Sequence, residues 1–253
     1  MILHHNDLDT AIKLNKFIPF FQPLHDANTG ACMGAEMLAR LQLSDGSISL
    51  PGVFLSRMDT LRDMPVLTQT LMEQAGKWLS GMTLPDGFML TINITADMAG
   101  EEWLTSACQK LMTCARGRIN LVLELTEQMP LTRNYAQWQQ QLLCLSNAGV
   151  RLALDDFGTG NSGLHLLLLS GAGVLKLPRE FVGRLGECGV SDVITDTVVH
   201  LAERLGLELI AEGVETEEQL RLLADRGIRL MQGWHFSPPL SSCDFSDYIS
   251  QYH

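Results

Sequence analysis

The stretch LALDDFGTGNSGL at residues 152–164 places two adjacent carboxylates, Asp155 and Asp156, between an apolar run and a glycine-rich turn. An apolar run of this length predicts a buried strand, so both carboxylates would lie where that strand stops and a loop begins. Adjacent aspartates at a strand end are often only a turn signal, because Asp stabilises turns. Whether they form a site therefore depends on what the other strands carry at the same end.

The rest of the chain alternates apolar runs with amphipathic segments of helical length. Eight runs are candidate strands: IPFFQPL, ACMGAEML, FMLTINIT, INLVLELTE, VRLALDD, GVLKL, LELIAEG and IRLMQG. The candidate helices lie at residues 9–16, 66–79, 101–113, 135–147, 192–205 and 217–226. Strands that alternate with helices pair in parallel, and near-continuous apolar strands indicate a sheet that helices cover.

Eight strand candidates in 253 residues favour a closed (β/α)8 barrel, a fold that typically needs about 250 residues. A doubly wound open sheet is the alternative, but the glycine-rich phosphate fingerprint expected after its first strand is missing. The chain contains no repeat, low-complexity tract or linker. We therefore expect one α/β domain over residues 1–253.

Polar residues interrupt the apolar runs at or near the carboxyl ends of different strand candidates: Glu36, Asn93, Glu124, Asp155 with Asp156, Lys176, Glu212 and Gln232. In a barrel these ends converge on one face, where barrel enzymes carry their chemistry. Five carboxylates held together cannot all stay ionised without a cation. Carboxylate and amide oxygens select a hard ion, so we expect Mg²⁺ or Mn²⁺, with Ca²⁺ as an inhibitory occupant.

Composition excludes several other classes of protein. The formal net charge of −11 argues against a nucleic-acid polymer as partner, because such binding requires a basic face. No run approaches the roughly 18 apolar residues of a membrane-spanning helix, and the start lacks a signal-peptide pattern. Six scattered cysteines without CxxC spacing indicate neither a disulfide framework nor a zinc site. We expect a cytoplasmic chain with no membrane segment.

Five segments carry a family resemblance: GAEMLARL (34–41), ELTE (124–127), DDFGTG (155–160), AEGVETEEQL (211–220) and QGWHFSPPL (232–240). In the same order, they resemble the motifs of the EAL domains, the bacterial cyclic-di-GMP phosphodiesterases. The resemblance extends over about residues 17–240, which it implies as the core of the domain. It further implies a modified (β/α)8 TIM-type barrel with one antiparallel strand. It also implies metal-dependent hydrolysis of cyclic-di-GMP to linear 5′-pGpG.

The resemblance further implies roles for individual residues. The implied metal ligands are Glu36, Asn93, Glu124 and Asp155, with Asp156 and Glu212 completing a second metal position. The implied catalytic residues are Lys176, which would hold the attacking water, Glu212 and Glu36; whether Lys176 or Glu212 takes the proton stays open. The implied dinucleotide-binding residues are Gln22, Leu38, Arg40, Asn93, Asp156, Gln232 and Pro239. Glu127 would steady the loop after the DDFG strand.

The family uses that loop in dimerisation and regulation, so we expect a homodimer through the region after Phe157 and the apolar stretch LHLLLLSGAGVL at 164–175. Burial of this stretch in the core is the alternative.

Several positions depart from the family pattern. Pro178 stands where the family usually has Asp, and Gly173 replaces an acidic residue earlier in the same strand. Asn161 and Gly163 replace an aromatic residue and a serine, and Met37 replaces the Ala of the signature. Alternation along the strand should turn Met37 away from Glu36 into outer packing. The second functional hypothesis is therefore a degenerate relative that binds the dinucleotide or a protein partner without turnover.

Overall fold

The computed structural model describes residues 5–126, 135–160, 163–187 and 189–252. The strands in these residues are β1 (Phe17–Asp26), β2 (Cys32–Gln42), β3 (Ile48–Ser49), β4 (Phe88–Ile94), β5 (Ile119–Thr126), β6 (Arg151–Asp155), β7 (Val174–Leu177), β8 (Glu208–Ala211), β9 (Leu230–Met231) and β10 (Leu240–Ser241).

Eight strands close into a barrel in the order β1–β2–β4–β5–β6–β7–β8–β9, with β9 paired back to β1. Strands β2 and β4 through β9 run parallel. β1 pairs antiparallel with both of its barrel neighbours, β2 and β9. β3 and β10 extend the sheet beside β2 and β1. This topology confirms the predicted modified (β/α)8 barrel with one antiparallel strand.

The helices are α1 (His5–Lys13), α2 (Pro51–Phe54), α3 (Asp63–Ser80), α4 (Ala96–Ala99), α5 (Glu102–Cys114), α6 (Tyr135–Asn147), α7 (Gly163–Ser170), α8 (Arg179–Val182), α9 (Gly189–Leu205), α10 (Glu217–Asp225) and α11 (Ser242–Gln251), with a 3₁₀ helix at Leu55–Arg57. Five long helices, α3, α5, α6, α9 and α10, match the predicted segments to within three residues at each end. α1 begins four residues before its predicted start and ends three before its predicted end. No helix in the described part of the chain is long and apolar enough to cross a membrane.

The sequence patterns above do not predict α11. Its signals are a cap and a short apolar face: the Ser241 side chain accepts a hydrogen bond from the backbone N–H of Asp244, and Phe245 and Ile249 are buried one turn apart. The Phe245 ring packs against Phe21 of β1. α11 therefore covers the outer face of the antiparallel strand.

The barrel interior begins with an apolar layer. Seven barrel strands each contribute one residue to an inner cluster: Leu24, Met89, Val122, Ala153, Val174, Ile210 and Leu230. The eighth strand, β2, has Gly34 at this level, paired in register with Leu24 and Met89. A Cβ on Gly34 would lie 2.3 Å from the carbonyl oxygen of Met89. The close approach of β2 to β4 therefore requires glycine at this position.

A polar layer lies directly above the apolar one. Successive strand side chains alternate between the two faces, so a residue two positions along points the same way. Two positions from the apolar layer, towards the barrel mouth, the chain has Gln22, Glu36, Thr91, Glu124, Asp155, Lys176, Glu212 and Gln232. Met37, one position out of phase, is buried in the outer core instead, as predicted.

β2 is longer than the barrel wall. Its pairing with β4 ends at Met37, but β2 continues to Gln42, paired with β1 and at its end with β3. The prediction that Glu36 lies at or near the carboxyl end of its strand therefore describes the part of β2 that pairs with β4, because six further residues of β2 follow Glu36. This extension, residues 38–42 of β2 with its partners on β1, is named the β1–β2 arm, and it rises beyond the barrel mouth.

We expect Gly34→Ala to destabilise the fold by about 1–3 kcal/mol, the usual effect of forcing extra atoms into a packed core. Gly52→Ala is the matched control, because an added Cβ on Gly52 meets nothing within 4 Å. Urea unfolding measures both variants. Equal stability of Gly34→Ala and the wild type would contradict the close packing of β2 on β4.

Candidate functional site

The side chain of Lys176 is the centre of the polar layer. It is 1% exposed, and its Nζ atom lies within 3.6 Å of four carboxylates from different strands. The distances are 2.5 Å to Glu212 Oε1, 2.8 Å to Glu124 Oε2, 3.4 Å to Asp155 Oδ1 and 3.6 Å to Glu36 Oε2. Four predicted carboxylates and the predicted lysine therefore meet at one point inside the barrel.

Two amide side chains hold the Glu36 carboxylate. Asn93 Nδ2 donates to Glu36 Oε1 at 2.7 Å, and Gln232 Nε2 donates to Glu36 Oε2 at 2.6 Å. Gln232 Nε2 also lies 3.3 Å from Glu212 Oε1. Burial raises the pKa of Glu36, but the Lys176 ammonium and these two amides outweigh it and leave that pKa below its ordinary value. The ionised form of Glu36 is therefore favoured by its surroundings.

Glu124 and Glu212 titrate differently. Burial raises the pKa of Glu124 well above its ordinary value, and the neighbouring carboxylates add to the rise although Lys176 opposes it. Burial likewise raises the pKa of Glu212 to about 8. For Lys176, burial favours the neutral amine, but the surrounding carboxylates outweigh it and hold its pKa well above the ordinary value. In this structure the Lys176 ammonium lies among the carboxylates, where the sequence predicts a metal ion as the counter-charge.

A second group of oxygens lies beside the first. Single carboxylate oxygens of Asp155, Asp156 and Glu212 all lie within 4.8 Å of one another. Asp156 has a left-handed backbone with φ 53°, which ends the strand and is more accessible to Asp than to most residues. The structure thus brings the aspartate pair of the opening stretch to the rim of the Lys176 cluster.

The donor set fits a hard divalent ion. Among the described residues, both oxygens of Glu124 and Oδ1 of Asp155 are buried without a partner in hydrogen-bond geometry. Asn93 uses its amide nitrogen on Glu36, which leaves its amide oxygen available. Carboxylate and amide oxygens are the ligands that Mg²⁺, Mn²⁺ and Ca²⁺ prefer.

The predicted dinucleotide-binding residues lie around the β1–β2 arm. Gln22 pairs in register with Glu36, and Leu38 shares with Asn93 the wall of a mostly apolar cavity of about 390 Å³. Arg40 is buried, donates to the Ala39 carbonyl at 2.8 Å and lies 5.5 Å from the Phe20 ring centre. Pro239 directly precedes β10, which pairs with β1.

Two departures from the family pattern have clear positions. Gly173 precedes β7 and accepts a hydrogen bond from Arg151, which pairs with Glu208. These residues lie at the amino ends of their strands, so Gly173 is remote from the Lys176 cluster. Pro178 is buried and its carbonyl accepts from the N–H of Phe181, starting α8. Glu127 and Asn161 fall outside the described residues.

Sequence reasoning missed one inward-facing residue, Thr91. It is buried, and its hydroxyl has no hydrogen-bond partner among the residues that the structure describes. The signal was the inward period of β4, in which Met89, Thr91 and Asn93 follow one another. Thr91 was not predicted because the pattern of candidate site residues includes only charged and amide side chains at strand ends.

Comparison with known proteins adds independent findings. The chain matches the EAL domain family over residues 5–239. It is 35% identical over 240 residues to the probable cyclic di-GMP phosphodiesterase PdeG of Escherichia coli K12, a match that covers 94% of this chain and 47% of PdeG. It is 31% identical over 241 residues to the cyclic di-GMP phosphodiesterase PdeL of the same organism, covering 94% of this chain and 66% of PdeL.

The fold is similar to that of the EAL enzyme Bd1971 in its cAMP- and cyclic-di-GMP-bound form. The TM-score is 0.84 at 25% identity, over 96% of this chain and 67% of Bd1971. The chain thus spans about half the length of PdeG and about two thirds of PdeL and Bd1971.

We expect the stability of the ion-free protein to fall as pH rises from about 5 to 8. Glu124 and Glu212 have raised pKa values in the folded state. Their contribution to the free energy of unfolding is therefore complete below the pKa of the unfolded chain, and it is lost as pH rises through the pKa of the folded protein. Thermal unfolding in EDTA at a series of pH values measures this slope. Glu36, whose pKa is lowered, acts in the opposite sense but at pH values below this window.

Glu212→Gln should flatten the slope, whereas Glu73→Gln, on the exposed side of α3, should leave it unchanged. His25 acts in the opposite sense within the same window, because burial lowers its pKa and its contribution to stability grows as pH rises. The difference between the wild type and Glu212→Gln is therefore the measure, and equal pH slopes for these two proteins would contradict the raised pKa of Glu212.

Proposed function

Because the chain belongs to the EAL domain family, we propose that it is a metal-dependent phosphodiesterase that hydrolyses cyclic-di-GMP to linear 5′-pGpG. The observation that carries the proposal is the convergence of four carboxylates on Lys176 at the barrel mouth. PdeL is named a cyclic di-GMP phosphodiesterase, and Bd1971 was solved with cyclic-di-GMP bound. These relatives support the choice of substrate.

The proposed ion site uses the oxygens described above. Glu36, Asn93, Glu124 and Asp155 would hold one Mg²⁺ or Mn²⁺ ion, and Asp156 and Glu212 would complete a second position. Ions bound there would acidify a water and neutralise charge on the phosphate oxygens. The pairing of Asn93 with Glu36 supports the first position, and the short oxygen–oxygen separations of Asp155, Asp156 and Glu212 support the second.

We propose that Lys176 and Glu212 act as a pair on the attacking water. Nζ of Lys176 and Oε1 of Glu212 are 2.5 Å apart, so the Lys176 ammonium can donate to Glu212, and a proton can be exchanged between the two groups. The pKa of Glu212, raised to about 8, suits a group that exchanges protons near neutral pH. The proton belongs to the pair, since groups this close titrate together.

The β1–β2 arm would hold the dinucleotide beside these groups. Arg40 is the cation of the arm and would neutralise a phosphate, which the acidic chain otherwise repels. Leu38 and Pro239 would provide apolar contacts for the bases, and Gln22 and Gln232 would provide hydrogen bonds. Glu127, by family resemblance alone, would steady the loop after β6.

A binding module without turnover is the second candidate. Pro178 favours it, because this residue follows β7 close to Lys176 and brings no carboxylate to a place where the family usually has one. The complete set of ion-binding oxygens and Lys176 favours the enzyme. The cytoplasmic location and the single-domain organisation stay predictions.

With Mg²⁺ or Mn²⁺, the purified chain should convert cyclic-di-GMP to pGpG, followed by chromatography, and EDTA should abolish the reaction. Ca²⁺ should permit binding without efficient hydrolysis, because its looser geometry positions the water poorly. Glu36→Ala and Asp155→Ala should lose turnover by losing the ion. Lys176→Ala should lower the rate by about 10²–10⁴, as expected for a lost proton-handling group.

Lys77→Ala, on the exposed side of α3, is the matched control and should retain the wild-type rate. Pro178→Asp should raise activity if the missing carboxylate limits it. Wild-type protein that binds cyclic-di-GMP tightly but forms no pGpG over hours in Mn²⁺ would decide for the binding module.

We propose that the homodimer forms through the apolar face of α7. Leu164 and Leu168, one turn apart, are 70% and 79% exposed. Leu168→Glu should therefore shift sedimentation at micromolar concentration towards monomer, whereas Leu205→Glu, at the exposed end of α9, should not. A wild type that is monomeric with and without ion and nucleotide would refute the dimer.

A further inference from the structure

Thr91 on β4 carries a buried polar group that neither the fold nor the proposed reaction uses. The residue is 2% exposed, and its hydroxyl has no hydrogen-bond partner among the described residues. Alternation along β4 turns it inward, between Met89 below and Asn93 above. Buried hydroxyl groups in native proteins are nearly always paired, so an unpaired one calls for an explanation.

Other buried side-chain atoms at the barrel mouth also lack a partner in hydrogen-bond geometry. In the described part of the chain, seven buried side-chain atoms lack a hydrogen-bond partner, and five belong to the inward layer at the barrel mouth. They are Thr91 Oγ1, both oxygens of Glu124, Asp155 Oδ1 and Lys176 Nζ. The other two are hydroxyl groups of Thr105 and Thr195 on the outer helices α5 and α9. Buried polar atoms outside hydrogen-bond geometry are thus concentrated around Lys176. Ion pairs with Lys176 hold Glu124 and Asp155, whereas the Thr91 hydroxyl has no hydrogen-bond partner among the described residues.

The register identifies the group that Thr91 can serve. Thr91 lies opposite Glu36 on β2 and Val122 on β5. Both oxygens of Glu36 already accept amide N–H groups. Glu124 lies two residues beyond Val122 on the same inward face. Its Oε2 lies 2.8 Å from Lys176 Nζ but outside hydrogen-bond geometry, and its Oε1 has no hydrogen-bond partner among the described residues. Glu124 is therefore the carboxylate near Thr91 that needs a donor.

We propose that Thr91 is a positioning residue for the divalent-ion site, whose hydroxyl donates to Glu124 once that carboxylate turns from Lys176 towards an ion. This inference rests on the ion site proposed above. A carboxylate ligand is oriented by outer hydrogen bonds, whose loss typically weakens ion affinity about 10–100-fold. Thr91 remains unpaired in the arrangement described here because Glu124 is engaged with Lys176.

The experiment titrates the ion-free full chain with Mn²⁺ in a calorimeter and compares three variants with the wild type. Thr91→Val keeps the side-chain shape without the hydroxyl and should bind Mn²⁺ about 10–100-fold more weakly. Thr91→Ser keeps the hydroxyl and should stay close to wild-type affinity. Thr195→Val, which removes the unpaired hydroxyl of α9, should bind Mn²⁺ as the wild type does.

Thermal unfolding in EDTA separates positioning from packing. Thr91→Val and Thr195→Val should both melt at or above the wild-type temperature, because each replaces a buried unpaired hydroxyl by a methyl group. If Thr91→Val melts lower, Thr91→Ser decides: wild-type Mn²⁺ affinity in that variant supports the proposal, and weakened affinity overturns it.

Wild-type Mn²⁺ affinity in Thr91→Val also overturns the role of Thr91 and leaves the ion site standing. Absence of Mn²⁺ binding by the wild type at millimolar concentration would remove the ion site and this inference together.

Discussion

The contact between the Lys176 ammonium and four buried carboxylates is the constraint on which the barrel mouth depends. Carboxylates removed from water cost several kcal/mol each unless a cation or protons compensate them. Lys176 on β7 compensates residues of β2, β5 and β6 and the residue after β8. The carboxylates that would bind the ions are therefore the same charges that the fold must neutralise. Any ion that enters the site competes with a side chain for the same oxygens.

The apolar layer below makes this contact strong. Seven inward side chains fill the barrel beneath Lys176, and Gly34 allows β2 to approach β4 closely at the same level. Charges that lie above a filled, dry layer interact at a lower effective dielectric constant than charges in water. In this environment the pKa values of neighbouring carboxyl groups diverge: that of Glu212 is raised to about 8, and that of Glu36 is lowered.

Much of this architecture could be predicted from sequence because strand and helix periods are local properties. Apolar runs located the barrel strands, and the family resemblance supplied one antiparallel strand, which the structure identifies as β1. What could not be predicted depends on pairing partners: β2 runs past Glu36 because β1 continues beside it. The role of Lys176 as counter-ion could be recognised only in the three-dimensional structure, because its carboxylate partners are distant in sequence. α11 was missed because its apolar face is only two residues, Phe245 and Ile249.

The two-residue step between the apolar layer and the polar layer has a consequence for how such a chain can change length. Deleting the residue between Val122 and Glu124 would turn every later side chain of β5 to the opposite face of the strand. The carboxylate would then face the helices, and a leucine would enter the barrel. A single-residue change in length between the two layers therefore needs a compensating irregularity, such as the register shift between Leu24 and His25 in the β1–β2 pairing. Helices and loops carry no such constraint. The even spacing along each strand therefore limits where this domain can change in length.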